Sequence, residues 1–188
     1  MKDIVRKVKI VGVTPIMFDK YAGDNKTQLL PEQKMYLNSD MELQIPCANI
    51  HSFLCAQNTK SACKMFYDPR KYKQVAAAIL GFVMIQPLDG LSSSIGLLRD
   101  GKPIKWEGWG KNGITLHKSV ARLDKGIPNP KERPLIDTPW EASFRLTLWE
   151  NSDVSEMEVK NLFIKGGLAI GLGTYRGVFG KFAIQDWA

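Results

Sequence analysis

The amino-acid sequence predicts an α+β protein, with helices packed on one face of an antiparallel sheet and with inserted loops and a hairpin. Three observations lead there. Segments of alternating apolar and polar residues stand near both ends of the chain and between them, stretches with helical spacing separate these segments, and the order that results is strand, helices, strands, helix, strand. The 188 residues hold no internal repeat, low-complexity tract or linker, so residues 1–188 are expected to form one domain.

The first strand is expected over residues 6–13, where Val8 and Ile10 share one face and Lys7, Lys9, Val11 and Val13 the other. Residues 14–33 contain Pro15, Gly23, Asp24, Asn25 and Pro31 among polar neighbours and read as a long loop. A second strand over residues 35–45 turns at residues 38–40 and is closed by Pro46, which cannot donate to a ladder. A helix follows, entered at Asn49 or Cys47, with Ile50, Phe53 and Leu54 at helical spacing. Asp68-Pro69 is a start signal for another helix, an N-cap acceptor before a proline already set for the first turn. Its apolar stripe is Tyr72, Val75, Ala76, Ile79, Leu80 and Val83.

Asp100-Gly101 between apolar residues 95–98 and 104–109 predicts a type I′ turn in a projecting hairpin. Ile114, Leu116 and Val120 alternate in a further strand, and residues 124–137, rich in proline, glycine and charge, read as a basic finger-like loop. Over residues 140–149 the alternation is clean, with Trp140, Ala142, Phe144, Leu146 and Leu148 facing the core. Asp153 or Ser155, each with a glutamate three residues on, caps a helix whose Val159, Leu162 and Phe163 face inward and which Gly166-Gly167 ends. Residues 178–187 close the fold as a strand with Val178, Phe182 and Ile184 inward.

Composition narrows the class. Hydrophobic residues at 44% and charged residues at 24% exclude a disordered chain. Lysine and arginine total 26 against 19 acidic residues, a net charge of +7 that favours a polyanionic partner. The three cysteines, Cys47, Cys55 and Cys63, are an odd number in one segment and build no disulfide framework, so a reducing, cytoplasmic setting is expected. The N-terminal apolar stretch is interrupted by charge and suits neither a signal peptide nor a membrane helix, and no membrane partner is expected.

The segment from Gly166 to Lys181 places Gly166, Gly167, Gly171, Gly173, Gly177 and Gly180 where backbone must turn or be approached closely. Amides freed in such a loop cradle a phosphate, Arg176 and Lys181 add charge, and Tyr175 or Phe179 offers a ring for a base. It is no Walker loop, because no Gly-Lys-Ser/Thr opens a helix, and no dinucleotide fingerprint, because a strand follows. The bland alternative, glycines serving only a helix cap and a strand start, stays open.

A helix, then Gly-x-Gly, a glycine and a basic residue before the last strand resembles the RAMP superfamily of CRISPR repeat-associated RNA-binding proteins. Ile45-Pro46-Cys47-Ala48-Asn49-Ile50-His51-Ser52-Phe53-Leu54 is similar to the Ile-Pro-Gly-Ser-Ser-Leu-Lys-Gly-Ala-Leu signature of the guide-coating backbone subunits. The resemblance implies a modified RRM or ferredoxin-like fold and a non-catalytic subunit that coats single-stranded RNA, or single-stranded DNA, as a head-to-tail filament beside other effector subunits. A phage or mobile-element relative fits the same motifs. The nucleic-acid contacts expected are Asn49, His51, Lys118, Arg122, Lys125, Lys131, Arg133, Gly171, Gly173, Thr174, Tyr175, Arg176 and Lys181. His51 stands where the family usually has lysine, Cys55 where it often has arginine, and Cys47 replaces the glycine, which weakens the charge on this helix.

Rival chemistry is named on the same residues. An endoribonuclease would use Asp19 or Asp24 of the first loop with metal, or His51 or His117 with Tyr175 as base and partner. Cys47, His51 and Cys55 at i, i+4 and i+8, with Cys63, would suit zinc, although the spacing lacks Cys-x-x-Cys knuckles. Binding is the preferred reading, with no catalytic residue, metal or cofactor assigned. A third class is a phage-type assembly protein that uses the sheet and loops for protein contacts alone.

Overall fold

The computed structural model describes residues 3–24, 26–122 and 128–188. Four strands and the helices packed on them give the frame. Strand β1 (Asp3–Gly12) is followed, after an insertion holding β2 (Ile16–Met17) and a 3-10 turn (Pro31–Lys34), by β3 (Gln44–Pro46). Helices α1 (Cys47–Cys55), α2 (Ala62–Phe66) and α3 (Tyr72–Phe82) lead to β4 (Val83–Pro87). A second insertion carries β5 (Ser94–Arg99), β6 (Lys102–Pro103), β7 (Ile114–Arg122) and β8 (Pro128–Ile136). The chain closes with β9 (Glu141–Trp149), α4 (Glu156–Ala169) and β10 (Phe182–Trp187).

The central sheet is antiparallel, with β1 between β10 and β9, and with β4 on the far side of β9. Without its insertions the chain reads β1, helices, β4, β9, α4, β10, the ferredoxin-like β-α-β-β-α-β order implied by the resemblance. Strands β5, β3 and β6 extend this sheet beyond β9, while β2, β8 and β7 form a second, three-stranded sheet.

Alternation builds the core as expected. Val8, Ile10, Trp140, Ala142, Phe144 and Leu146 are fully buried, and Phe53 of α1, Phe163 of α4 and Phe182 of β10 meet over them with ring centroids 5.3–6.4 Å apart. Burying each such ring stabilises the fold by about 2–3 kcal/mol. Ser155 caps α4 in a capping box with Glu158, the second of the two predicted caps. Asp100 (φ 51°) and Gly101 (φ 75°) make the expected turn.

The structure corrects several elements. The second strand shrinks to β3, because Met41 turns at φ 60° and Asn38 Oδ1 accepts from the amides of Asp40 and Glu42. Cys47 is the first residue of α1. A short helix absent from the sequence reading, α2, starts on the Ser61 cap. Helix α3 ends at Phe82, Val83 already belongs to a strand, and Leu80 is 69% exposed instead of buried. The Asp100-Gly101 hairpin is short and stays in the central sheet, so the long arm is the β7–β8 hairpin. Val120 and Val178 are exposed.

Residues 128–136, read as part of a loop, form β8 in spite of Pro128, Pro130 and Pro134. The three prolines share one parity. Pro134 and Glu132 aim their carbonyls away from β7, toward Phe18 N and Lys34 Nζ, so residues of this parity owe β7 no N–H and proline leaves no gap in the ladder. Helix α4 runs through Gly166 and Gly167 rather than ending there. At Gly166 a Cβ would sit 2.7 Å from the Phe53 ring, and at Gly167 2.5 Å from the Phe182 carbonyl, so these glycines let the helix approach α1 and β10.

Arg99, at the end of β5, ties the hairpin to the sheet by donating to the carbonyls of Pro139 (2.9 Å), Asn112 (2.5 Å) and Asp137 (2.6 Å). Among the described residues no helix is long and apolar enough to cross a membrane.

Candidate nucleic-acid interface

Apart from His51, the predicted contacts among the described residues divide into two groups. One gathers where the first insertion meets the base of the β7–β8 hairpin. Asp19 Oδ2 accepts from Arg133 Nε at 2.7 Å, Lys34 Nζ lies 3.8 Å from Asp19 Oδ1, and Lys34 also donates to the Glu132 carbonyl at 2.7 Å. All three side chains are largely covered. Asn49 hydrogen-bonds the Tyr36 hydroxyl, whose burial, first of all, raises its pKa. Arg133 therefore spends its charge on Asp19, and the catalytic candidate Asp19 has both carboxylate oxygens engaged.

A cleft of about 430 Å3 opens beside this group, lined by Lys20, Lys34 and Lys131 together with Asp19 and Asp24. Asp24 caps its own loop, accepting from the amides of Lys26 and Thr27 and from Thr27 Oγ1 at 2.5–2.8 Å. The Thr27 and Lys26 hydrogen bonds hold its carboxyl below the ordinary value. Lys118 pairs with Glu132 across the hairpin at 2.9 Å, an exposed pair of little energetic weight. Arg122 closes β7, and Lys125 lies outside the described residues.

The second group is the segment after α4. Here six of the loop's amides are already engaged within the chain. Gly171 N donates to Gly166 O, Leu172 N to Gly180 O, Thr174 N to Met17 O, Gly177 N to Ile170 O and Gly180 N to Pro15 O. Lys181 N donates to Thr14 Oγ1 at 3.0 Å. These main-chain groups knit the loop to β2 and to the residues after β1. Gly173 and Gly180 are required for that knitting: a Cβ at Gly173 would strike the Met17 carbonyl, and one at Gly180 the Leu172 carbonyl, each at positive φ.

What the knitted base presents is a crest of side chains. Tyr175 is 60% exposed and held at φ 52°, a left-handed conformation that strains a non-glycine residue by about 1 kcal/mol. Its ring meets Phe179 at 5.9 Å, and Phe179 meets His117 of β7 at 5.4 Å, so three rings bridge the loop and the hairpin. His117 was named in sequence only as a candidate base with Tyr175; both contact Phe179. Arg176 Nη2 donates to Thr59 Oγ1 at 2.8 Å, fixing the guanidinium over the loop between α1 and α2. Burial lowers its pKa from so high a value that it stays cationic. Among the described residues no acidic side chain pairs with Arg176 or Lys181.

His51 points elsewhere on α1 than Asn49. It lines a groove against α3, and burial lowers its pKa, so the imidazole is neutral near pH 7. Cys47, Cys55 and Cys63 are buried free thiols. Burial pushes Cys55 up to about 11 and Cys63 up to about 12, and among the described residues no three His, Cys, Asp or Glu side chains gather to hold a metal ion. The four zinc candidates do not converge.

No protein-family model matches the chain, and no curated relative does. Among solved structures, the chain is similar to a subunit in the cryo-EM structure of the Type III-B Cmr-beta bound to cognate target RNA, with a TM-score of 0.58 and 14% identity. The match covers 100% of this chain and 60% of the other. That likeness shows the fold alone, a ferredoxin-like antiparallel sheet with helices packed on it.

Proposed function

We propose that this protein binds single-stranded RNA as a subunit of a CRISPR-type ribonucleoprotein effector complex, with the crest after α4 as its grip. One observation carries the reading. Strained, exposed Tyr175 stands with Phe179 and His117 as a ring platform beside two cations, Arg176 and Lys181, that no described acid neutralises. Rings take the faces of successive bases whatever their identity, and cations hold the phosphates between them. A fold shared along the full chain with a subunit of an RNA-bound effector supports the same partner. Lys118, Lys131 and the hairpin extend the surface, and copies set head to tail along one strand, beside other effector subunits, would form a filament.

The test is fluorescence anisotropy with a labelled single-stranded oligoribonucleotide. Arg176→Ala with Lys181→Ala should weaken binding about tenfold or more, alike for unrelated sequences, and flatten the salt dependence by about one to two phosphate contacts. Unchanged affinity and salt slope would remove the crest as the grip. Electron microscopy of the wild-type protein with a long RNA tests the filament.

A further inference from the structure

An open groove of about 600 Å3 lies between α1 and α3, lined by apolar Cys55, Ala76 and Leu80 and by polar His51, Ser52 and Asn58. We propose that this groove takes a nucleobase of the bound strand, an inference that rests on the RNA-binding function above. Its chemistry matches a base and not a phosphate. The described lining holds no cation, the Cys55 thiol stays protonated because burial pushes it up to about 11, and apolar carbon dominates the lining. A nucleobase combines two apolar faces with a hydrogen-bonding edge, and an apolar slot with a few polar groups is how such a ligand is held.

Two irregularities of the fold fall in this groove. Leu80 belongs to the apolar stripe of α3 yet is 69% exposed, so the stripe continues past the core into the groove. The His51 side chain lines the groove while its Nδ1 is buried without a hydrogen-bond partner, which folded proteins rarely leave so. A neutral imidazole has one donor and one acceptor nitrogen, so a small turn of the ring on binding would let a base edge pair with it.

Position completes the case. Asn58 of the lining precedes Thr59, whose hydroxyl accepts from Arg176. A strand whose phosphate lies on Arg176 is therefore held beside the residue that follows Asn58 of the groove. The crest stacks bases on one side of that phosphate, and the groove receives one on the other.

The experiment compares a single-stranded oligoribonucleotide with an abasic ribose-phosphate strand of equal length, for wild type, Leu80→Asn and Asn58→Ala. Both substituted residues are exposed, so the fold tolerates the changes. The expected result is a loss of about five- to tenfold on the base-bearing strand and none on the abasic strand. A 2-aminopurine in the oligonucleotide should change emission on binding wild type and lose that change with Leu80→Asn. Equal losses on both strands, or no loss on either, overturn the groove, and altered self-association of Leu80→Asn in size-exclusion chromatography would reassign it to a protein contact. If wild type binds neither strand, the RNA-binding function itself fails and takes the groove with it.

Discussion

The base of the β7–β8 hairpin and the crest after α4 use similar residues to opposite ends. At the hairpin base, Asp19, Arg133 and Lys34 neutralise one another and are mostly covered, so their charges fasten the first insertion to β8. At the crest, Arg176 and Lys181 have no described acidic partner, and an aromatic residue is held exposed in a strained conformation. A cation count alone cannot separate the two. What separates them is whether an acid from elsewhere in the chain has already claimed the charge.

The largest effect expected is on the frame beneath the crest. Gly180→Ala places a Cβ against the Leu172 carbonyl at a φ of 74°, and should destabilise the protein by about 3 kcal/mol. Thermal unfolding reads it directly. A melting temperature close to wild type would mean that the segment after α4 is loosely seated and that its side chains are not positioned by the backbone.

Next comes the hairpin base. Asp19→Ala leaves Arg133 and Lys34 without their carboxylate and should lower stability by about 1–3 kcal/mol, while RNA affinity stays within about twofold. Denaturant unfolding and anisotropy on the same variant test both halves. A stable variant that lost RNA binding would reverse the comparison and place the interface at the first insertion.

Tyr175→Gly should do the converse. Relief of the strained φ offsets the added chain entropy and the lost ring contact, so stability should remain within about 0.5 kcal/mol of wild type. RNA affinity should fall about tenfold, since one stacking platform is gone. Loss of stability with intact binding would make Tyr175 a packing residue.

The same contrast explains what could be read in the sequence. β9 and the α4 cap were legible because period-two alternation over residues 140–149 and the Ser155–Glu158 pair are local signals. The crest residues Tyr175, Arg176 and Lys181 were legible as candidates, since glycine spacing marks the loop. The engagement of the loop's amides was not, because Pro15 and Met17, whose carbonyls accept from Gly180 N and Thr174 N, lie in a distant insertion. Asp19 and Arg133 stand 114 residues apart, and no spacing rule pairs them. β8 was hidden by its prolines, harmless only because their parity turns away from β7. The groove was hidden too, for Leu80 looks like any core position of an amphipathic helix until the neighbouring helix fails to cover it.

The smallest effect concerns pH and belongs to the groove side of the molecule. Burial holds the His51 imidazole below its ordinary 6.5 in the folded state. Between 6.5 and that lower value the unfolded chain binds a proton that the folded chain refuses, so this group's stability is complete above pH 6.5 and declines as pH falls through the window. Asp24, Glu156 and Glu158 are instead held below ordinary carboxylate values by their hydrogen bonds, and their contributions are lost only at more acid pH. Melting temperatures should therefore fall for wild type between pH 7.5 and 5.0, and the fall should shrink in His51→Gln.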